Sequence, residues 1–435
     1  LGVVVGIIFE EEYFMLKFIH AADIHLDSPL RGLSRYESAP VESIRHACRR
    51  AFENLVDLAI EEEVAFVLLA GDLYDGDWKD YSTGIFLSKL MGRLGQHHIQ
   101  VFAVSGNHDA ANRMTKSLDS PSNMKLFSSR HAETVLLPDL GVAIHGRSFP
   151  TQHVDENLAA GFGAAVKGLF NIGLLHTSLD GREGHASYAP CSLDDLRSRG
   201  YNYWALGHIH QQEVVAKDPY IVFPGCIQGR HIREAGAKGC VLVSVTDGSV
   251  SRIDRVSLDV MRWSLCSIDV TEAQELAEVF ERVRKGIERE QASAENRPLA
   301  MRIRLHGATR IAGALAAYPE RLEQQLKALG AETAGEELWI EKIENATTGK
   351  LDLATMLASD HAMGRLLKEI LELQIDIDLR DKLHDKILEL RQKAPLEAFG
   401  PDSPFNLDDD HVMGRMVEEA KHLLIGRLLS VGGPT

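Results

Sequence analysis

Cysteine is scarce in this chain: its 435 residues include five, Cys48, Cys191, Cys226, Cys240 and Cys266. No two of them stand at zinc-site or redox spacing. That excludes a disulfide-stapled secreted scaffold and predicts a reduced, cytoplasmic setting. A long apolar run is missing as well. Residues 1–9 are apolar but too few to span a bilayer. They also lack the basic start and small-residue cleavage site of a signal peptide, so no membrane attachment is expected. Residues 1–15 read as an extension outside the fold, a mis-assigned start or a cloning remnant, and the fold begins at about Met15-Leu16-Lys17. Positive charge is in deficit too: 47 lysines and arginines against 63 aspartates and glutamates leave a net charge of -16. A chain that grips nucleic acid unaided is more often basic. DNA binding here would require a local basic patch, a metal pair or a basic partner.

What is present is an ordinary globular composition, 45% apolar and 25% charged, with length for two or three domains. Five apolar runs organise it, each ending in a residue that can bind a metal. Residues 16–22 run into Asp23-Ile24-His25, residues 64–70 into Gly71-Asp72, and residues 99–104 into Gly106-Asn107-His108-Asp109. Residues 171–175 then run into His176, and residues 203–206 into Gly207-His208-Ile209-His210. Continuous apolar runs of this length read as buried strands. The carboxyl ends of strands are where open α/β sheets bind ligands. One histidine at a strand end is more often a hydrogen-bonded structural residue; five such ends in succession are not a chance pattern. Helical spacing over residues 41–62 and 85–94 places crossover helices between the first three strands. Short strands are expected at 134–137, 142–145, 220–223, 240–245 and 250–253, giving a two-sheet sandwich with helices outside. Aspartate, asparagine and imidazole together suit manganese, iron or zinc. Two such ions about 3.5–4 Å apart clamp the attacking and leaving oxygens of a phosphodiester.

The order Asp-x-His, Gly-Asp-x-x-Asp, Gly-Asn-His-Asp, His, Gly-His-x-His resembles the calcineurin-like metallophosphoesterases. Within them it is similar to the SbcD branch of double-strand-break repair nucleases. Residues 20–29 (His-Ala-Ala-Asp-Ile-His-Leu-Asp-Ser-Pro) and 224–231 (Pro-Gly-Cys-Ile-Gln-Gly-Arg-His) resemble the bacterial YhaO-like subgroup. The resemblance covers residues 16–256 well and the remainder in outline. It implies a four-layer α/β/β/α metallophosphoesterase sandwich, a small α/β capping domain and a helical C-terminal segment. It also implies two divalent ions, most naturally Mn²⁺, with iron or zinc as alternatives. Asp23, His25 and His210 are expected on one ion, Asn107, His176 and His208 on the other, and Asp72 between them. His108 is expected to stabilise the transition state or protonate the leaving oxygen, and Asp109 either to hold the His108 ring or to cap the following turn. The implied partners are DNA, an SMC-like coiled-coil ATPase and a second copy of the chain packed through the crossover helices. Two departures stand out: Asp75 occupies a position where some relatives carry a histidine, and an accessory histidine of some relatives falls near Gly32.

The domain reading is 16–256 for the phosphoesterase domain, 257–346 for the capping domain and 347–435 for a helical region that docks on the partner or on its own chain. In the capping domain, strands are expected at 264–270, 299–305 and 338–343. A helix is expected at 271–290, with Thr271 and Gln274 at capping-box spacing, and another at 310–329. Further helices are expected around Leu366–Leu373, Leu383–Leu390 and Val412–Leu428, with Pro395, Pro401 and Pro404 breaking the chain before the last. Asp360-His361-Ala362-Met363-Gly364-Arg365 recurs as Asp410-His411-Val412-Met413-Gly414-Arg415, which two copies do not make a solenoid; it reads as coincidence or as similar helix starts. Arg230 and Arg233 are the local candidates for a phosphate-backbone contact, with a solvated loop as the alternative. His20 reads as a core residue or as a group supporting the metal ligands, and Trp204 as core rather than a base-stacking platform. The function expected is metal-dependent DNA cleavage. The alternatives are hydrolysis of a small nucleotide or a phosphoprotein at the same metals, and a non-catalytic scaffold, which would have no use for His108.

Overall fold

The computed structural model describes residues 15–28, 41–75, 82–111, 121–179, 188–349, 362–373, 382–383, 385–386 and 410–431. The expectations about residues 1–14, Gly32, the three C-terminal prolines and most of the helix near Leu383 lie outside the described residues. Two compact units divide the chain: one runs to Ser264 and includes Ala294–Ala300, and the other comprises Leu265–Ser293 and the chain from Met301 onward.

In the first unit, strand β1 (Met15–Ala21) leads through helix α1 (Val41–Glu61) to β2 (Phe66–Ala70), and α2 (Ser82–Gln96) leads to β3 (Gln100–Val104). The short helix α3 (Asn107–Ala111) and strand β4 (Met124–Leu126) follow. Strands β1 to β4 are parallel neighbours. On the other side of β1 the sheet is completed, antiparallel, by β11 (Gly239–Thr246) and β12 (Ser249–Ser257). The second sheet has the order β5-β6-β7-β8-β10-β9. Its four central strands, β6 (Val142–Arg147), β7 (Phe170–His176), β8 (Tyr203–Gly207) and β10 (Tyr220–Phe223), are parallel. β5 (Glu133–Leu137) and β9 (Glu213–Lys217) close its edges antiparallel.

Because side chains alternate along a strand, each central strand feeds two layers. Ile19, Val67, Leu69, Val101 and Ala103 pack outward against Phe52, Leu55 and Val56 of α1 and Leu90, Met91 and Leu94 of α2. Their neighbours Phe18, Phe66, Leu68, Phe102 and Val104 face Ile144, Ile172, Leu174 and Tyr203 of the second sheet. Leu175, Trp204, Leu206, Ile221 and Phe223 pack outward again, onto Leu158, Phe162 and Leu196, the last on the short helix α4 (Leu193–Arg197). This is the expected four-layer sandwich, and both His20 and Trp204 are core. His20 bridges the Tyr203 hydroxyl (3.0 Å) and the Leu206 carbonyl (3.2 Å), and burial lowers its pKa to about 3, so it is neutral.

Asp259, whose side chain is fully buried, accepts from Arg262 Nε at 2.9 Å and lies 3.4 Å from Arg297 Nε. Taking one partner from a buried ion pair leaves the other desolvated and costs about 3–5 kcal/mol. Asp259→Ala is therefore expected to lower the urea-unfolding free energy by that amount.

The second unit carries the sheet order β13-β14-β15, from β13 (Arg262–Asp269), β14 (Leu299–Thr309) and β15 (Leu338–Gly349). Two expectations are corrected here. The helix expected from Thr271 starts at Leu276 as α5 (Leu276–Ser293). The backbone N–H groups of Val270 and Glu272 are taken by His306 and Ala308 on β14, and Thr271 N–H by the Asp269 carboxylate. A segment stitched to a strand in this way cannot turn into a helix, so the capping box does not form. The helix expected over 310–329 is two helices, α6 (Ala312–Ala317) and α7 (Pro319–Ala334). Pro319 supplies no N–H and pushes Tyr318 out of the helical region, to φ −134°, ψ 73°. Farther on, helices Ala362–Glu372 and Asp410–Val431 pack on each other, and the second also packs on α6. They begin at the two copies of the Asp-His-x-Met-Gly-Arg repeat.

Candidate metal centre

Five strand ends meet at one end of the sandwich, two of them from the second sheet. β1 delivers Asp23 and His25, β2 Gly71-Asp72, β3 Asn107 at the start of α3, β7 His176, and β8 the turn from Gly207 to His210. The sheets approach so closely here that a methyl group on Gly207 would collide with the Ala70 carbonyl and press on His176 Nδ1. The backbone turns sharply at three of these ends, after β1, β2 and β8: Asp23, His25, Asp72 and His208 have φ of 53°, 48°, 53° and 101°. Such conformations cost about 1–3 kcal/mol each in non-glycine residues and cluster at functional sites. They are held by neighbouring backbone, with Asp23 N–H donating to Gly71 O (3.0 Å), His25 N–H to Asp72 O (3.0 Å) and Leu26 N–H to Leu73 O (2.9 Å).

The side chains fall into two overlapping groups. In the first, His25 Nε2 and His210 Nε2 face each other at 3.3 Å, and Asp23 Oδ1 lies 3.6 Å from His210 Nε2. In the second, His176 Nε2 lies 3.1 Å from Asn107 Oδ1 and 3.5 Å from Asp72 Oδ2, while its Nδ1 is fixed by the Ala70 carbonyl at 2.9 Å. The His208 ring stands 5.2 Å from that of His176, and its backbone N–H donates to Asp23 Oδ2 (3.0 Å). Asp72 belongs to both groups: it comes within ligand reach of His25 and of the Asp23–His176 pair.

These donors fit divalent cations. Asp23 Oδ1 is buried and accepts no hydrogen bond among the described residues. Burial, and then the Asp72 charge, push the Asp23 carboxyl well above the usual carboxylate range, and burial raises Asp72 to about 6. Burial likewise drives His25 well below its ordinary value and His176 to about 3, so both rings are neutral electron-pair donors. Two buried carboxyls facing neutral imidazoles are costly to ionise without a cation and are ideal ligands with one.

His108 lies beside the cluster with its side chain 38% exposed, its ring 5.0 Å from His25. Its Nδ1 is 2.8 Å from Asp75 Oδ1, and this hydrogen bond raises the His108 pKa. Burial would raise Asp75, but the bonds from His108 and Ser28 bring it down to about 2. The expectation that Asp109 holds the His108 ring is corrected. Asp109 turns away and accepts from Gly106 N–H (3.0 Å) and Tyr74 N–H (2.9 Å), tying the loop after β3 to the loop after β2. Third in α3, it bonds back to Gly106, three residues earlier, while His108 Nδ1 goes to Asp75. Burial lifts Asp109 to about 7.

Arg230 is placed at the same end but is no open loop cation. Its side chain is 10% exposed and pairs with Glu234 (2.8 Å) and Asp75 (3.4 Å), whereas Arg233 is exposed. Glu234 was not visible to sequence reasoning. It accepts from His210 Nδ1 at 2.7 Å, a contact between residues 24 apart in sequence that no spacing pattern marks. Asp75 did have a signal, as the last residue of Gly-Asp-x-x-Asp.

A parallel-sheet sandwich that gathers carboxylate, amide and imidazole groups at its strand ends defines a class of phosphoesterases that work through a pair of metal ions. The chain belongs to the calcineurin-like metallophosphoesterases. The calcineurin-like phosphoesterase family matches residues 16–212, and the middle domain of metallophosphoesterase YhaO matches residues 263–348. The chain is 35% identical over 361 residues to the uncharacterized metallophosphoesterase YhaO of Bacillus subtilis (strain 168), covering 82% of this chain and 87% of that protein. Among solved structures it is similar to a dimetal phosphatase from Danio rerio (13% identity, TM-score 0.34, 56% of this chain and 97% of that one). It is likewise similar to GAP50, the anchor in the inner membrane complex of Plasmodium (13% identity, TM-score 0.34, 56% and 89%). No helix among the described residues is long and apolar enough to cross a membrane.

Proposed function

We propose that this metallophosphoesterase is an Mn²⁺-dependent DNA nuclease of the SbcD type, acting in the cytoplasm as a homodimer in double-strand-break repair with an SMC-like coiled-coil ATPase. The observation that carries the reading is the meeting of Asp23, His25, Asp72, Asn107, His176 and His210 with His108 beside them. Asp23, His25 and His210 would hold one ion, Asn107, His176 and His208 the other, and Asp72 both. Such a pair supplies Lewis-acid stabilisation to the attacking and leaving oxygens of an in-line displacement. The protein's own part is to fix those ligands on rigid strand ends and to set a proton beside them. His108, whose pKa the Asp75 bond raises, lies beside these ligands and would donate to a phosphoryl oxygen or to the leaving oxygen. The mixture of carboxylate, amide and imidazole donors suits manganese, as it does iron or zinc, and the likeness to the SbcD branch favours manganese. DNA as substrate is supported by the motif order shared with the SbcD branch and by the second compact unit, which a small-substrate enzyme does not require.

The purified protein with Mn²⁺ is expected to cut single- or double-stranded DNA, alone or with the ATPase, and EDTA to abolish cleavage. If neither DNA is cut while a small phosphodiester is hydrolysed, the DNA assignment falls. A second reading, a phosphodiesterase or phosphatase for a small nucleotide or a phosphoprotein, then takes its place. The net charge of -16 and the engagement of Arg230 by two carboxylates favour that reading.

A further inference from the structure

Between β10 and β11 the chain leaves the second sheet for the first, and on the way it sets two opposite charges behind the metal ligands. Glu234, in the turn Ile232–Glu234, is buried. A buried carboxylate is costly unless fully paired, and both its oxygens are used. Oε1 accepts from His210 Nδ1 (2.7 Å) and Arg230 Nη2 (2.8 Å), with His231 Nε2 at 3.4 Å. Oε2 accepts from Arg230 backbone N–H (2.7 Å) and Nε (3.4 Å). Arg230 Nη1 in turn reaches Asp75 Oδ2 (3.4 Å), and Asp75 Oδ1 meets His108 Nδ1 (2.8 Å). One line of contacts thus runs His210–Glu234–Arg230–Asp75–His108.

We infer that Glu234 and Arg230 are positioning residues of the metal centre. Glu234 fixes the tautomer and ring plane of His210, and Arg230 ties that ligand to the Asp75–His108 pair. The inference rests on reading Asp23, His25 and His210 as ligands of one ion. An imidazole that holds a cation through Nε2 carries its remaining proton on Nδ1, and a carboxylate at Nδ1 keeps it there and fixes the ring. His210 has that arrangement, with Nε2 turned to His25 and Asp23 and Nδ1 to Glu234. Arg230 Nη2 also lies 3.5 Å from Nδ1, but the carboxylate is the closer partner and takes the shorter guanidinium bond as well. An ion pair that only braced its own loop would not extend to a histidine 24 residues away and an aspartate 155 residues away.

The test is calorimetric titration of the full-length, metal-free chain with Mn²⁺, with the melting temperature measured in parallel. Glu234→Ala is expected to weaken one of two ions by roughly 10–100-fold and leave the other unchanged. Glu234→Gln, which keeps the shape and an acceptor oxygen but not the charge, is expected to fall between that variant and wild type. Arg230→Met is expected to weaken the same ion less, with Arg230→Lys restoring part of the loss. In Co²⁺-loaded protein the visible spectrum is expected to change for one ion only. Two ions bound with wild-type affinity in the Glu234 variants, whatever the melting temperature, would overturn the inference. If Glu234→Ala does not fold, Glu234→Gln decides. A wild-type protein that takes up no Mn²⁺ overturns the metal reading and this inference with it. Two ions held equally by wild type and variants overturn this inference alone.

Discussion

Replacing Asp72 by asparagine is expected to lower metal-dependent phosphodiester hydrolysis on the order of 10³-fold or more. Removing a single fixed donor from an active site typically costs roughly 10²–10³-fold. Asp72 stands between both candidate ion sites, so its loss disturbs two stabilising groups rather than one. Its surroundings make the experiment clean. Oδ1 accepts from His108 N–H at 2.9 Å, a bond the asparagine carbonyl can keep, and the side chain is 2% exposed in a pocket of matching shape. The metal-free variant is also expected to be no less stable than metal-free wild type at pH 7. Burial raises the Asp72 pKa from 3.8 to about 6 in the folded protein, so the fold binds that proton more tightly than the unfolded chain does. Metal-free wild type therefore loses stability as pH rises from about 4 to about 6, and Asp72→Asn lacks that part of the loss. Melting temperatures of the two proteins should converge toward pH 4, and Mn²⁺ should raise that of wild type alone. An active variant, or one that Mn²⁺ stabilises as well as it does wild type, would remove Asp72 from the centre.

Replacing His108 by alanine is expected to lower kcat by roughly 10²–10⁴-fold, the usual contribution of a positioned acid or base, while both Mn²⁺ ions still bind. The His108 ring has its Nδ1 on Asp75 and is partly open to solvent, which suits a proton donor aimed at substrate. His108 also comes within ligand reach of His25 and Asp72. Loss of an ion in His108→Ala would make it a ligand instead. The companion variant, Asp75→Asn, gives the sign of the pH effect. The bond from Asp75 raises the His108 pKa, and an acid must be protonated to act. Activity therefore falls as pH rises through that pKa, and without the Asp75 charge the fall should begin at lower pH. An unchanged alkaline limb would mean that His108 does not act as the acid.

Much of this centre could be read before any coordinates. The central strands of the two sheets are buried on both faces, so β1, β2, β3, β7 and β8 appear as mainly apolar runs, and the polar residue at each carboxyl end stands out. The crossover helices α1 and α2 are legible for the same reason, since a one-sided apolar stripe repeats with the helical period. In the second unit local pattern was a poorer guide. Thr271 has the spacing of a helix cap but is stitched to β14, and the apolar period over 310–329 continues through Pro319 while the backbone does not.

The sequence by itself determined which residue types stand at the strand ends, because a buried strand ends where its apolar run ends. Only the tertiary structure decided who serves whom among them. Asp109 is adjacent to His108 in the chain, yet Asp75, 33 positions earlier, makes the bond, and Glu234 reaches His210 from a loop without periodicity. A hydrogen bond is chosen by a separation of about 3 Å and a direction, and between loops from different strands neither quantity is written in the spacing of residues.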